Sequence, residues 1–561
     1  MIYSRQPLAQ YLVQLCKTKR VRHIVISPGS RNAPLTIGFT NQDFFKCYSI
    51  VDERSAAFFA LGIAQQTSEA VAVVCTSGSA LLNYYPAIAE AFYSRMPLIV
   101  ISADRPKKLI NIGDGQTIIQ PHAFGAHVLF EANLTTPKKT LFKSLNASQN
   151  KAKKLISNAL DVALGKMGPV HINVPFDEPL YQTSSSMHVF TTPTSSPKKT
   201  TNVKISKSYL KTWNNSNRKL VLVGVNAPNS IEASVIAKLA NDPSVIVLTE
   251  TTSNLHNPNF FPFIDQLITP LQDSQYKMLQ PDLLLTFGGL IISKRIKAFL
   301  RNYKPRYHWH IDPFNANNTF YSLNKHFHYS PNLFLKQLLI LGITTQSDYF
   351  DYWHSVKLKR LERHNQYLKS MPFCDFKAFE LICSFIPKDY IVQSANSSVI
   401  RYLQLFEFDP SIALYCNRGT SGIDGSTSTA VGAAVVSKRP TLLITGDLSF
   451  FYDSNGLWNN YVPNNFKIIV INNDGGGIFR ILPGNDNSKL FETFFETKHG
   501  QSAKALAEGF GLNYNTANSS EALTEILPSF FNSSKQPQLL EVFTPSKIND
   551  QILLAYFDAL K

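Results

Sequence analysis

The stretch Leu442-Leu-Ile-Thr-Gly-Asp-Leu-Ser449 joins a short apolar run to a glycine, an acidic residue and a hydroxyl side chain. Further along the chain, the apolar run Ile468-Ile-Val-Ile471 is followed by Asn472-Asn-Asp-Gly-Gly-Gly477. Buried parallel strands have this apolar composition, and ligands of parallel sheets bind beyond the carboxyl ends of the strands. The two stretches therefore predict a parallel sheet with a polar site at its strand ends.

Similar apolar runs alternate with helical stretches along the whole chain, which is typical of parallel sheets covered by helices on both faces. They form three clusters, with runs at 23–26, 71–74, 98–101 and 171–174, then at 220–223, 245–248 and 283–285, and then at 391–392, 442–444, 468–471 and 539–542. We predict an α/β fold of three doubly wound parallel-sheet domains in series. The predicted parts are a first domain at 1–182, a linker rich in Ser, Thr, Pro and Lys at 183–208, a central domain at 209–345 and a third domain at 346–561.

The composition limits the class of protein. A chain of 561 residues is too long for one ordinary core, and 44% hydrophobic with only 17% charged residues excludes a disordered chain. A net charge of +16 attracts anions, but the lysines are scattered and no zinc-finger spacing or aromatic RNA-binding signature accompanies them. The charge alone leaves nucleic acid, a membrane surface and anionic metabolites all open, and our expectation of small anionic substrates, without nucleic acid or membrane insertion, depends on the motifs described below.

The cysteines and the start of the chain indicate the compartment. Six cysteines are spread without a Cys-x-x-Cys pair, which argues against a zinc knuckle and against a disulfide framework. The first residues lead directly into a helical pattern, without a charged-then-apolar signal segment, and no apolar run reaches membrane-spanning length. We expect a cytoplasmic protein with reduced thiols.

The polar strand ends suit a hard divalent cation together with a diphosphate. Mg²⁺ prefers oxygen ligands in near-octahedral geometry and normally keeps phosphates among them. The side chains of Asp447 and Asn473, with the backbone carbonyl of Gly475, can supply one face of that octahedron. Gly446 lets the backbone approach a diphosphate, and the following helix N-terminus favours negative charge. A Gly-Asp pair alone also fits an ordinary helix N-cap, so the interpretation depends on both stretches together.

Together, the two stretches resemble the thiamine-diphosphate motif, with its Gly-Asp opening and its Asn-Asn closing. That superfamily contains a pyrimidine-binding, a central and a diphosphate-binding domain in this order, so the resemblance assigns these roles to the three predicted domains. It implies thiamine diphosphate with Mg²⁺ or Mn²⁺ as cofactors. The residues that it places on the diphosphate and the metal are Gly446, Asp447, Leu448, Ser449, Asn473 and Gly475.

A glutamate at the end of an early strand contacts the aminopyrimidine ring in this superfamily. Glu53, within Val51-Asp-Glu-Arg-Ser-Ala-Ala57, matches that position. The resemblance therefore implies that Glu53 activates the cofactor. Taken by itself, Glu53 equally fits an acidic residue that stabilises a helix N-terminus through the helix dipole.

Within the superfamily, Leu448 replaces the usual Gly of the opening motif. Together with Ser27-Pro-Gly-Ser-Arg-Asn-Ala-Pro34, Ser102-Ala-Asp-Arg-Pro106 and Asn417-Arg-Gly-Thr-Ser-Gly-Ile-Asp-Gly425, this departure resembles the 2-succinyl-5-enolpyruvyl-6-hydroxy-3-cyclohexene-1-carboxylate synthase family of menaquinone biosynthesis. The resemblance implies a transferase that decarboxylates 2-oxoglutarate and adds the resulting carbanion to isochorismate in a 1,4 sense. It also implies a homodimer or a homotetramer, because the pyrimidine and diphosphate sites of the superfamily meet across a subunit interface.

Site residues follow from this resemblance position by position. The resemblance implies that isochorismate binds to Ser30, Arg31, Arg105, Gln116, Lys294 and Arg295. It implies that the 2-oxoglutarate-derived adduct binds to Ser397, Arg401 and Arg418. Ile423 is expected to support the cofactor in its bent shape, and Ile478 and Phe479 are expected to form an apolar wall. Ser397, Ile423 and Ile478 are also expected to contact the cofactor. The catalytic set is Glu53 with Arg31, Arg105, Gln116, Arg401 and Arg418.

The residues support that substrate class without the resemblance. Six cationic residues are expected on strand-end loops, namely Arg31, Arg105, Lys294, Arg295, Arg401 and Arg418. The planar fork of the arginine guanidinium suits carboxylates, and the two substrates together bring four of them. Any one of these arginines alone is better explained as a surface or ion-pair residue, so the set carries the argument. Gly115 departs from the polar residue expected before Gln116, which leaves contacts there open. His122 and His127 are not adjacent, and we assign no histidine a catalytic role.

Three rival interpretations stay open at this point. Another enzyme of the same cofactor class, such as an acetolactate synthase-like enzyme or a simple 2-oxo acid decarboxylase, shares the cofactor motif but does not need the six cations. A basic nucleic-acid-binding protein has only the net charge in its favour. A cofactor-binding protein without catalysis is disfavoured because Glu53, Asp447 and Asn473 are all present.

Overall fold

Three parallel sheets, each covered by helices, organise the chain. The computed structural model describes residues 2–136, 145–187, 202–481 and 488–561. The predicted linker at 183–208 lies partly outside these described residues. Of the helices described, none is both long and apolar enough to cross a membrane.

The first sheet has six parallel strands in the order β3-β2-β4-β5-β7-β6. A two-stranded antiparallel pair, β1 with β8, lies beside it. The strands of this region are β1 (Tyr3–Ser4), β2 (His23–Ile26), β3 (Lys46–Ser49), β4 (Val71–Cys75), β5 (Leu98–Asp104), β6 (Glu131–Asn133), β7 (Val170–Pro175) and β8 (Thr183–Ser184). The helices are α1 (Pro7–Thr18), α2 (Ala33–Thr40), α3 (Glu53–Thr67), α4 (Ala80–Asn83), α5 (Tyr85–Ser94) and α6 (Leu145–Lys166).

The middle sheet has five parallel strands in the order β10-β9-β11-β12-β13. Its strands are β9 (Lys219–Val223), β10 (Val245–Thr249), β11 (Leu283–Phe287), β12 (Tyr307–Ile311) and β13 (Lys325–Phe327). Its helices are α7 (Lys207–Asn215), α8 (Ala233–Ala240), α9 (Ile264–Ile268), α10 (Asp273–Leu279), α11 (Lys294–Asn302) and α12 (Pro331–Leu341).

The third sheet has six parallel strands in the order β15-β14-β16-β17-β19-β18. Its strands are β14 (Ile391–Ser394), β15 (Ala413–Cys416), β16 (Thr441–Gly446), β17 (Phe466–Asn472), β18 (Asn513–Ala517) and β19 (Gln538–Phe543). Its helices are α13 (Tyr349–Lys369), α14 (Asp375–Phe385), α15 (Ser398–Leu403), α16 (Ser426–Val436), α17 (Asp447–Tyr452), α18 (Lys489–Phe491), α19 (Lys504–Gly509), α20 (Ser520–Phe530) and α21 (Asn549–Ala559).

The α/β fold with three doubly wound parallel-sheet domains is confirmed, and every predicted apolar run lies in a strand. The structure adds strands that have no apolar run, among them β3 and β18, whose residues are partly exposed. Both lie at an edge of their sheets, where one side of the strand meets solvent and apolar side chains are not required. An apolar run therefore identifies interior strands better than edge strands.

The first and third domains pack through α3 and α16. Gly62 of α3 and Gly432 of α16 lie against backbone carbonyl oxygens of the opposite helix, at Thr429 and Phe59, and a Cβ at either glycine would collide with that oxygen. Without a side chain at these two positions, the helices approach to backbone contact. One hydrophobic core therefore runs from the first sheet through this helix pair to the third sheet.

In each sheet the chain reverses its direction of winding beside the first strand, because β2, β9 and β14 each lie between the next two strands of their sheets. Loops on the two sides of such a reversal diverge and leave a crevice at the carboxyl ends of the strands. In the third domain this crevice lies between β14 and β16. Ser397 and Asp447 follow these two strands.

Candidate active site

Asp447 and Gly475 are brought together at the carboxyl edge of the third sheet. Asp447 is the first residue of α17 and is only 3% exposed. Its carboxylate accepts hydrogen bonds from the backbone N–H groups of Leu448, at 2.6 Å, and Gly475, at 2.8 Å. Gly475 has a φ of +137°, in the region that favours glycine, so the tight turn after β17 depends on this residue.

Asn473 follows β17, and its amide orientation is determined by a residue that the sequence did not indicate. The Asn473 side-chain N–H donates to the Asp375 carboxylate at 2.8 Å. Asp375 begins α14, is fully buried and also accepts from the Thr544 hydroxyl. Burial raises the pKa of Asp375 to about 6. Because the amide nitrogen is taken, the amide oxygen of Asn473 is the atom left for a cation.

The donor atoms at this corner fit the expected cation. They are a carboxylate oxygen of Asp447, the amide oxygen of Asn473 and the carbonyl of Gly475, all of which are hard oxygen ligands of the kind that Mg²⁺ prefers. Among the described residues, no group of three His, Cys, Asp or Glu side chains is placed to hold a metal. A site that uses one acidic side chain leaves the remaining positions for phosphate oxygens and water.

The neighbouring turns belong to the same crevice. Gly446 faces Val399 near the start of α15, and Ser449 donates its hydroxyl to the carbonyl of Ile423 at 2.9 Å. Ser397 precedes α15 with a φ of +69°, a sparsely populated conformation for a residue with a side chain. The positions predicted around the cofactor in the third domain therefore converge on the space between β14 and β16.

The cationic residues predicted to bind 2-oxoglutarate, the donor substrate, lie beside this crevice. Arg418 follows β15, and its guanidinium donates to the side-chain oxygen of Asn396 at 2.6 Å. Its Nε is buried and makes no hydrogen bond within the described part of the chain. Arg401 lies inside helix α15 and not on a loop, which corrects the sequence-based placement. Burial lowers the pKa of Arg401, and the nearby carboxylate of Asp265 acts in the opposite direction.

The residues of the first domain that were predicted to bind isochorismate, the acceptor substrate, also lie at the carboxyl edge of their sheet. Arg31 follows β2, is 6% exposed and donates to the carbonyl of Phe176 at 3.1 Å. Arg105 follows β5, where its backbone N–H donates to the Asp104 carboxylate at 2.8 Å. The Nε atoms of both arginines are buried without a described partner. Side-chain donors are therefore present here without acceptors, as expected where an anionic ligand binds.

Ser30 and Gln116 lie on the exposed rim of the same edge. Gln116 has a φ of +55°, and its backbone packs against Gly78, in the loop after β4. A buried residue that the sequence did not indicate, Gln120, holds this loop by accepting from the Gly78 N–H at 3.0 Å. Around Gly115 there is open space, so the departure from the family pattern leaves the backbone undisturbed.

The middle domain contributes Lys294 and Arg295, which are the first residues of α11, so that, like Arg401, they lie in a helix and not on the predicted loop. Ser293 caps this helix by accepting from the Ile296 N–H at 3.1 Å. Glu250, which is buried, accepts from the Ser293 N–H at 2.8 Å. Burial raises the pKa of Glu250 to about 7, and the two backbone donors act in the opposite direction. Both cations are exposed at the domain surface.

Glu53 begins α3 but does not cap it. The cap is Asp52, whose carboxylate accepts from the Ser55 N–H at 3.2 Å. The Glu53 carboxylate accepts instead from the side chain of Asn83 at 3.3 Å. Among the described contacts, none joins Glu53 to Asp447 or Asn473 within the chain. The structure therefore brings together the residues predicted to hold the cation and the diphosphate, which we call the diphosphate corner. Glu53, which was predicted to contact the pyrimidine ring, lies at a separate sheet edge.

Ile478 and Phe479 follow the Gly475 turn in a short helical segment, Gly477–Ile481. Phe479 is 36% exposed and meets Phe495 with 6.1 Å between ring centroids. The two histidines that received no role have local partners. His122 pairs with Glu131 at 2.8 Å, and His127 contacts the hydroxyl of Tyr85 at 3.0 Å.

Comparison with known proteins gives three family matches along the chain. Residues 7–126 match the model of the thiamine pyrophosphate enzyme N-terminal TPP binding domain. Residues 189–337 match the middle domain of thiamine pyrophosphate enzymes, and residues 397–542 match their C-terminal TPP binding domain.

Three full-length relatives carry the name 2-succinyl-5-enolpyruvyl-6-hydroxy-3-cyclohexene-1-carboxylate synthase. A protein of Flavobacterium johnsoniae is 54% identical over 563 residues, and one of Flavobacterium psychrophilum is 53% identical over 560 residues, with both chains covered completely. A protein of Porphyromonas gingivalis is 39% identical over 568 residues, which cover 99% of this chain and 97% of the relative.

Proposed function

This chain belongs to the thiamine-diphosphate-dependent 2-succinyl-5-enolpyruvyl-6-hydroxy-3-cyclohexene-1-carboxylate synthases, and we propose that its site decarboxylates 2-oxoglutarate and joins the remaining four-carbon unit to isochorismate. The products are carbon dioxide and the compound after which the family is named, a step of menaquinone biosynthesis. The single observation that carries the site assignment is the joining of Asp447, Asn473 and Gly475 at one sheet edge.

Asp447, Asn473 and the Gly475 carbonyl hold the divalent cation, and the turn from Gly446 to Ser449 receives the diphosphate. When bound, thiamine diphosphate supplies the stabilisation of the acyl carbanion, and the protein positions and tunes it. Glu53 would hydrogen-bond the pyrimidine ring of the bound cofactor and hold or give up a proton at its own carboxyl group.

The two substrates use different cations. Arg401 and Arg418, with Ser397, orient the carboxylates of 2-oxoglutarate beside the third-domain crevice. Arg31 and Arg105, with the rim residues Ser30 and Gln116 and with Lys294 and Arg295 of the middle domain, bind the acceptor. The buried, unpartnered Nε atoms of Arg31, Arg105 and Arg418 support anion binding at both places, because a buried donor without an acceptor is costly until a ligand completes it. Ile423, Ile478 and Phe479 exclude water from the cofactor side.

The same unpartnered donors disfavour a simple 2-oxo acid decarboxylase or an acetolactate synthase-like enzyme, whose substrates bring fewer carboxylates. The test is mass spectrometry of products formed from 2-oxoglutarate and isochorismate, with and without thiamine diphosphate and Mg²⁺. We expect the joined product only when both cofactors and both substrates are present. Release of carbon dioxide without any joined product would support the decarboxylase interpretation instead.

Arg31→Ala separates the two half-reactions. Because Arg31 is assigned to the acceptor, we expect this variant to release carbon dioxide from 2-oxoglutarate at a normal rate and to raise the KM for isochorismate at least about tenfold. Arg418→Ala is the matched comparison and should impair the release of carbon dioxide. The division of roles is reversed if Arg31→Ala blocks carbon dioxide release while isochorismate still adds to a preformed adduct.

We also infer a cytoplasmic homodimer, or a homotetramer built from it. Large apolar side chains are exposed around the Glu53 edge, where Val51 is 46%, Leu82 is 44% and Tyr452 is 55% exposed. A second subunit that covers them would bring a diphosphate corner to Glu53. We expect activity to sediment with a dimer or larger species and to be lost on dilution to monomer. Full activity of a sedimenting monomer would contradict this assembly.

The domain limits at 182, 209 and 345 stay predictions. The matched families and the three sheets agree with this order of domains, and the central match extends from 189 to 337. Limited proteolysis tests the limits, because cleavage is expected to concentrate in exposed connecting segments.

A further inference from the structure

Arg418 stands where the three domains meet. It is held from its own domain by Asn396, whose side-chain N–H groups in turn donate to the carbonyls of Asn417 and Gly422, both at 2.7 Å. A cavity of about 420 Å³ borders the other side of this loop, between the first and middle domains. Because the loop lacks packing on the cavity side, its position depends on a small number of polar contacts.

The strongest of these contacts come from Glu90 of the first domain. Glu90 lies in α5 and is 1% exposed. Its carboxylate accepts from the backbone N–H of Gly419 and of Thr420, both at 2.6 Å, and from the Thr420 hydroxyl at 2.9 Å. The three donor groups belong to Gly419 and Thr420, the two residues directly after Arg418.

Glu90 and the loop are also matched in shape. A Cβ at Gly419 would collide with the backbone carbonyl oxygen of Glu90, so the helix and the loop approach to a distance that only glycine allows. Burial raises the pKa of the Glu90 carboxyl, while the Thr420 and Gly419 N–H groups act in the opposite direction. Burying a carboxylate against a loop is unfavourable unless its hydrogen bonds are complete, and here three donors are supplied.

We propose that Glu90 is a positioning residue for the donor substrate, which fixes the loop 418–420 so that the guanidinium of Arg418 faces the carboxylate of 2-oxoglutarate. This inference rests on the proposed function, because it assumes that Arg418 binds the donor. Glu90 itself touches neither the cofactor nor the substrate. Its effect is to link the first domain to the donor side of a site built in the third domain.

Glu90→Gln tests the proposal with little change in volume. Glutamine presents one oxygen and one NH₂ group, so one of the two backbone N–H groups would face a donor and the loop would shift. We expect the KM for 2-oxoglutarate to rise about tenfold, while the KM for isochorismate and the affinity for thiamine diphosphate change less than about twofold. Unchanged KM for 2-oxoglutarate in a folded Glu90→Gln protein would overturn the proposal.

Asp242→Asn is the matched control for a general loss of stability. Asp242 is 5% exposed and accepts from the N–H of Ser244 at 3.0 Å and from its hydroxyl at 2.6 Å, within the middle domain. We expect this variant to lower the thermal midpoint without changing either KM. If Asp242→Asn raises the KM for 2-oxoglutarate as much as Glu90→Gln does, the effect of Glu90 is one of stability alone and the proposal fails.

A double-mutant cycle with Arg418→Lys shows whether Glu90 acts through Arg418. We expect Glu90→Gln to raise the KM for 2-oxoglutarate about tenfold in the natural chain and less than about twofold beside Arg418→Lys. Equal effects in both backgrounds would show that Glu90 does not act through Arg418. Failure of the proposed function is distinguishable, since the natural chain would then form no joined product.

Thr420→Val keeps the test available if Glu90→Gln does not fold. This substitution removes the hydroxyl donor and leaves both backbone donors in place. We expect a rise of about twofold to threefold in the KM for 2-oxoglutarate with an unchanged KM for isochorismate. A folded Thr420→Val protein with natural values for both constants would count against the positioning role.

Discussion

Glu53→Gln is expected to lower turnover by roughly a hundred- to ten-thousand-fold, the usual size for a positioned acid or base. Glutamine can still hydrogen-bond the pyrimidine ring but cannot exchange a proton with its nitrogen. The diphosphate corner should survive, because Asp447 and Asn473 belong to another domain. Glu53 is also the acid in the first turn of α3, where a helix-dipole role alone would leave turnover unchanged.

The measurement is exchange of the C2 proton of enzyme-bound thiamine diphosphate, followed by NMR in deuterated water. Glu521→Gln is the matched control, because Glu521 lies in the first turn of α20. As an exposed helix N-terminal acid, Glu521 contributes little to stability, and its substitution should leave the exchange unchanged. If Glu53→Gln exchanges the proton at the natural rate, Glu53 is not the activating residue.

Asp447→Ala is expected to abolish Mg²⁺-dependent binding of thiamine diphosphate, with an affinity loss of at least about a hundredfold. Two contributions disappear together. The charged ligand of the cation is lost, and so is the acceptor that holds the Gly475 N–H and thereby the turn that carries the third ligand.

Calorimetry with thiamine diphosphate and Mg²⁺ measures this loss. Asp474→Ala is the control, because Asp474 is the neighbouring acid of the same motif but accepts from the N–H of Gly500 at 2.7 Å and is not assigned to the cation. We expect Asp474→Ala to keep measurable cofactor affinity. An unchanged affinity in Asp447→Ala would remove the metal assignment.

Most interior strands and the residues that follow them could be predicted from the sequence, with β12 as the exception. An apolar run marks an interior strand because both of its faces are buried, and Asp447 and Asn473 follow such runs directly. Edge strands such as β3 were not predicted, because partial exposure removes the apolar run. The placement of Arg401 on a loop was wrong because the strand before it passes into helix α15 within a few residues.

Local order along the chain therefore determined the fold class, the cofactor motif and the family of this protein, since a strand and its following turn are neighbours in sequence as well as in space. Tertiary structure alone decided which residues support the site. Asp375 is separated from Asn473 by 98 positions, and Glu90 from Gly419 by 329. Neither carboxylate belongs to a motif or a period, because the partners of Asp375 are set by packing within the third domain and those of Glu90 by the packing of the first domain against the third. Such contacts leave no regular trace in one sequence, and only the folded chain reveals them.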